Sequence, residues 1–105
     1  MKQHDNKQQL ELDKAANSML AAIVTLKTRK EVGQFLSDLC TPAELEAMFD
    51  RWQVVLLLGK GLSYREISHQ TGVSVTTIGR VARFKDMGEG GYQIALKRLP
   101  EALGG

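Results

Sequence analysis

Apolar residues recur at helical spacing along almost the whole chain. From about Gln8 to Leu26, the residues Leu12, Ala16, Met19, Leu20, Ile23 and Leu26 form one stripe, which predicts a first amphipathic helix. Residues 1–7 are polar and are expected to form a mobile tail. Thr28-Arg29-Lys30-Glu31 has the form of a capping box, in which a threonine hydroxyl and a glutamate each take up a free amide at a helix start. A second helix should follow with Val32, Phe35, Leu36 and Leu39 on one face. Thr41-Pro42-Ala43-Glu44 repeats the signal, with proline at the first helical position, where its missing N–H costs nothing. Cys40 and Leu45 stand at the two staple positions around that start. The third helix runs to about Leu58 and stops at Gly59-Lys60-Gly61, where glycine can turn left-handed. Its second half, Trp52 to Leu58, is apolar on nearly every side. A chain this small can hardly cover such a helix alone, which implies a subunit interface.

Beyond Gly61 the signals crowd together. Ser63-Tyr64-Arg65-Glu66 is a further capping box, with Ile67 and Thr71 inward and Gly72 ending a short helix. Ser74 caps the next helix, Val75, Ile78, Val81 and Ala82 turn inward, and Lys85 to Gly91 reads as a flexible glycine-rich joint. A last helix is expected from Tyr92 to Leu99, with Ile94, Ala95 and Leu99 inward, before Pro100 and Gly104-Gly105. No strand pattern or internal repeat interrupts the series. The expected class is all-α, with about six helices in a single domain over residues 8–105.

Residues 63–84, SYREISHQTGVSVTTIGRVARF, have the pattern of a helix-turn-helix. Gly72 supplies the residue that tolerates positive φ. Ser68 is small where two helices approach closely, although alanine is usual there, and Ile67, Val73, Ile78 and Val81 supply the apolar contacts. Charge adds to this. The net charge of +2 is modest, but residues 60–85 carry Lys60, Arg65, Arg80, Arg83 and Lys85 against Glu66 alone, while the flanking segments are each slightly acidic. In DNA recognition the N-terminal part of the second helix meets base edges in the major groove. Thr76, Thr77 and Arg80 are therefore candidates for base contact, arginine through two guanine acceptors and threonine through its hydroxyl or methyl. Lys60, Ser63, Tyr64, Arg65, Ser74, Arg83 and Lys85 suit the phosphate backbone, which sets register without reading sequence.

Other chemistry finds little support. The single cysteine, Cys40, excludes an internal disulfide framework and reads as a small buried apolar residue. His69 has no second ligand at metal spacing and suits a surface near phosphates. Gly88-Glu89-Gly90-Gly91 lacks the lysine and the strand of a phosphate-binding loop. No nucleophile–base pair, carboxylate pair or metal cluster is visible, so no enzyme, cofactor or metal is expected. The first residues carry no apolar core of a secretion signal, and the run Val54 to Leu58 is too short to span a bilayer, so a cytoplasmic protein is expected.

From Leu39 to Phe84 the chain resembles the Trp repressor family, most closely its YerC/YecD-type branch. The shared features are the Thr-Pro helix start, an arginine midway along the third helix, the glycine-terminated end, Ser-x-Arg-Glu, and Thr-Ile-x-Arg in the reading helix. The resemblance implies an intertwined homodimer offering two reading heads to successive major grooves of a near-palindromic DNA site, hence a bacterial transcriptional regulator, a repressor, associated with the nucleoid when bound. In tryptophan-responsive members the indole lies between two arginines, which Arg51 and Arg80 match, and Thr41 matches a threonine near the ligand's amino group. Val81 stands where those members have glycine, and Phe84 where they have serine. These changes imply an effector other than tryptophan, or none, with Phe84 itself filling the slot. The alternative reading of the same helices is a protein-docking module without specific DNA binding.

Overall fold

The computed structural model describes residues 3–104, and among these all regular structure is helical. The chain forms two compact units, residues 1–42 and 43–105. The first holds α1 (Asn6–Thr25) and α2 (Arg29–Leu39). Helix α1 starts two residues earlier than its apolar stripe suggested, because Asp5 and Gln8 build a capping box. The Asp5 carboxylate accepts from the Gln8 N–H at 2.8 Å, and the Gln8 side chain accepts from the Asp5 N–H at 3.0 Å. Of the expected tail, Asn6 and Lys7 are thus helical, and Met1 and Lys2 lie outside the described residues. At α2 the Thr28 hydroxyl accepts from the Glu31 N–H at 3.1 Å as anticipated. The Glu31 carboxylate reaches one residue further back, to the Lys27 N–H at 2.8 Å, so the box is not reciprocal.

Neither α1 nor α2 contains a buried residue. Ile23, Leu26, Val32, Phe35 and Leu36 are half-buried, while Leu20 and Leu39 are exposed and Val24 is 83% exposed. Cys40 is half-buried with a free thiol, and its N–H closes α2 on the Leu36 carbonyl at 2.9 Å.

The second unit holds α3 (Pro42–Gly59, whose first residue closes the first unit), α4 (Tyr64–Thr71), α5 (Val75–Met87) and α6 (Gly91–Ala102). Pro42 does stand at the first helical position of α3. Val54, Val55, Ile67 and Ile78 are fully buried, with Val73 and Val81 close behind, and Trp52, Leu57, Leu58, Leu62, Tyr92 and Leu96 pack around them. Each fully buried aliphatic side chain contributes about 1.5–3 kcal/mol.

Three expectations fail here. Helix α6 continues through Pro100 to Ala102, although proline lacks the N–H for the helical bond and crowds the carbonyl four residues back; only two helical residues follow it. Its inward stripe is Tyr92, Leu96 and Leu99, spaced i, i+4, i+7, and Ile94 and Ala95 are exposed. The bulkier stripe wins, and the Tyr92 ring meets that of Trp52 at 6.2 Å between centroids. Val75, also expected inward, is 52% exposed: it stands at the first position of α5, beyond the reach of the core. No helix among the described residues is long and apolar enough to cross a membrane.

Candidate nucleic-acid interface

Helices α4 and α5 pack on each other, and each end of the pair is fixed by its own sequence. At the start of α4 the Ser63 hydroxyl accepts from the Glu66 N–H at 3.1 Å, and the Glu66 carboxylate accepts from the Ser63 N–H at 3.0 Å. These bonds, the backbone one foremost, hold the Glu66 carboxyl below its ordinary range. The one acidic side chain of the basic segment is thereby committed to a cap. At the other end of α4, Gly72 adopts φ 76°, a left-handed conformation that costs other residues roughly 1–2 kcal/mol. Thr71 secures the turn beside it: its hydroxyl donates to the Ile67 carbonyl at 2.8 Å and accepts from the Val73 N–H at 3.1 Å. Thr71 is therefore half-buried and acts as a tie across the turn more than as core.

The Ser74 hydroxyl then caps α5, accepting from the Thr77 N–H at 3.1 Å and donating to the Thr77 hydroxyl at 3.0 Å. This separates the three residues expected at the bases. Thr76 and Arg80 are exposed, whereas Thr77 is half-buried with its hydroxyl engaged by the cap. The exposed Val75 joins Thr76 at the leading end of α5, a placement that periodicity alone misassigned. Of the residues suited to phosphate contact, Lys60, Ser63, Tyr64, Arg65, Ser74 and Arg83 are exposed and Lys85 is half-buried. Among the described residues the only ion pair is Lys14 with Glu11, so Lys60, Arg65, Arg80, Arg83 and Lys85 are all without a carboxylate partner. The exposed His69 lies in the last turn of α4, and no three His, Cys, Asp or Glu side chains cluster at metal-binding distance among the described residues.

The joint after α5 is more defined than a flexible linker. Gly88 closes the helix, its N–H donating to the Phe84 carbonyl at 2.9 Å. A Cβ on Gly88 would collide with that same carbonyl oxygen, so glycine is required there. The Gln93 side-chain amide donates across the joint to the Lys85 carbonyl at 2.8 Å, which ties α6 to α5.

Arg51, Thr77, Arg80, Val81, Phe84 and Tyr92 together line a pocket of about 340 Å³. Four of the residues expected around an effector thus converge, and Thr41 lies in the other unit. Val81 is only 3% exposed and belongs to the core as well as the pocket wall. Phe84 is one of the lining residues and is 60% exposed, while Ile78 and Val81 take the core face of α5. Tyr92, not among the residues expected around an effector, lines the pocket as well. Its spacing to Leu96 and Leu99 was the available signal.

A family model described as Trp repressor protein matches residues 14–100. The chain belongs to the Trp repressor family. It is 38% identical over 91 residues to the uncharacterized protein YerC of Bacillus subtilis strain 168, covering 87% of this chain and 84% of that one. A solved TrpR-like protein from Eubacterium eligens superposes with a TM-score of 0.77 at 33% identity, over 83% of this chain and 90% of the other. A protein of Staphylococcus aureus gives the same TM-score at 36% identity, over 83% and 87%. Like these Trp repressor-type proteins, the chain has a regulator's fold and not that of an enzyme family. Its matched span reaches from within α1 to Pro100 in α6.

Proposed function

We propose that this Trp repressor family member is a sequence-specific DNA-binding transcriptional regulator, a repressor, that acts as a cytoplasmic homodimer through α4 and α5. The observation that carries the reading is the state of the basic residues. Lys60, Arg65, Arg80 and Arg83 are exposed and lack carboxylate partners among the described residues, beside a second helix whose leading end presents Val75 and Thr76. Such cations are available for phosphates, and such an end for base edges. Thr76, Thr77 and Arg80 take the base contacts, with Thr77 restricted to its methyl and the free side of its hydroxyl. Lys60, Ser63, Arg65, Ser74, Arg83 and Lys85 engage the backbone. A second copy covers the apolar faces of α1 and α2. The dimer represses by occupying its site and excluding other proteins.

The reading head needs no effector to become ordered, since its two caps, the Thr71 tie and the shared core lie within one chain. Tryptophan is not the effector: Val81 stands in the pocket wall where the tryptophan-responsive relatives leave room. Selection of bound duplexes from a random pool tests the proposal. Enrichment of a near-palindromic sequence is expected, and a pool that emerges unenriched contradicts it.

A further inference from the structure

Tyr64 occupies the first helical position of α4, next to the Ser63 cap, and its side chain crosses to α5. There it meets Gly79. The Tyr64 ring carbon Cε2 lies 3.9 Å from where a Cβ on Gly79 would stand. That distance admits an alanine in ordinary contact. Gly79 sits inside α5, where glycine is the poorest helix former after proline. It lies on the face that carries Thr76 three residues before it and Arg83 four residues after it. The reading face therefore has a bare patch of backbone between a base-contact candidate and a phosphate-contact candidate. The ring of Tyr64, a residue 43% exposed, stands beside that patch with space for one methyl group between them.

We infer that Tyr64, its ring held beside Gly79 on the reading face, reads sequence by contacting a thymine methyl group in the major groove and is not simply a phosphate contact. The inference rests on the DNA-binding reading above. Its chemistry is apolar: a ring edge held on the reading face covers a methyl as other apolar side chains do at thymine. The phenol hydroxyl is dispensable for this, and the ring is not. A phosphate contact has the opposite requirement, since it needs the hydroxyl and ignores the base.

The test uses the duplex selected by the full-length protein, with each thymine replaced in turn by uracil, which removes only the methyl group. Wild type should lose about three- to tenfold in affinity at one thymine per half-site, the scale of one buried methyl. Tyr64→Ala should be insensitive to that replacement while keeping its sensitivity elsewhere. Tyr64→Phe should behave as wild type, and Gly79→Ala, which has room for its Cβ, should also keep the effect. Melting curves establish that each variant folds. Equal uracil sensitivity in wild type and Tyr64→Ala overturns the inference, as does a uniform loss in Tyr64→Phe. Either result leaves DNA binding itself standing. If wild type selects no duplex at all, the DNA reading falls and this inference falls with it.

Discussion

Arg80 and Arg83 stand nearly one turn apart on α5, both exposed and without a carboxylate partner among the described residues, yet they are asked to do different work. In the proposed DNA reading, Arg80 belongs to the half of the helix nearer the bases, and Arg83 to the half leaving the groove. Arg80→Ala should relax preference at one position of each half-site and cost roughly 1–3 kcal/mol, whereas Arg83→Ala should weaken all sequences about equally. Selection repeated with each variant checks this, and an unchanged preference in Arg80→Ala would refute the assignment. Val81 makes a separate point. A valine held in the core cannot withdraw to admit an indole, so calorimetry should detect no saturable tryptophan binding. Tight binding would show that the pocket of Arg51, Arg80 and Phe84 accepts the ligand after all.

Helix α4 is only eight residues long and depends on its ends. Ser63→Ala should destabilise the protein by about 1 kcal/mol. The Glu66 carboxyl, lowered by its bonds to Ser63, adds a pH-dependent part. A carboxyl with a depressed folded-state pKa stabilises above its ordinary range, and the effect is lost as pH falls through the lowered value. Melting temperatures of wild type and Glu66→Gln should therefore differ most near neutrality and converge in acid. A constant gap would mean that the charge on Glu66 plays no part. At this scale the sequence was most readable where chemistry is local. The Ser63, Ser74 and Thr28 caps, the Pro42 start and the Gly72 turn are each determined within four residues. What it hid depends on neighbours. The Glu31 carboxylate chose the amide of Lys27, and α6 turned Tyr92 and Leu96 inward because Trp52 and the core wait there. Phe84 stayed outside because Ile78 and Val81 had filled the inner face. Periodicity counts positions and cannot say which of two stripes finds a partner.

For the whole molecule, α1 and α2 carry apolar stripes without a single buried residue, and Phe49 on α3 is exposed as well. A chain of this size that leaves Leu20, Val24, Leu39 and Phe49 to solvent needs a second surface to cover them. Sedimentation should give about twice the chain mass of 11.6 kDa, and Leu20→Lys should shift it toward the monomer. A wild-type monomer at micromolar concentration would contradict the dimer. In the proposed dimer, two reading heads would bring Lys60, Arg65, Arg83 and Lys85 to the DNA twice over. The central claim, that this surface binds duplex DNA, is met most directly by measuring affinity for the selected duplex across salt concentration. A dimer neutralising about six to eight phosphates should give a log–log slope of roughly −5 to −7. A slope near zero, or no saturable binding at low salt, would mean that α4 and α5 dock a protein instead.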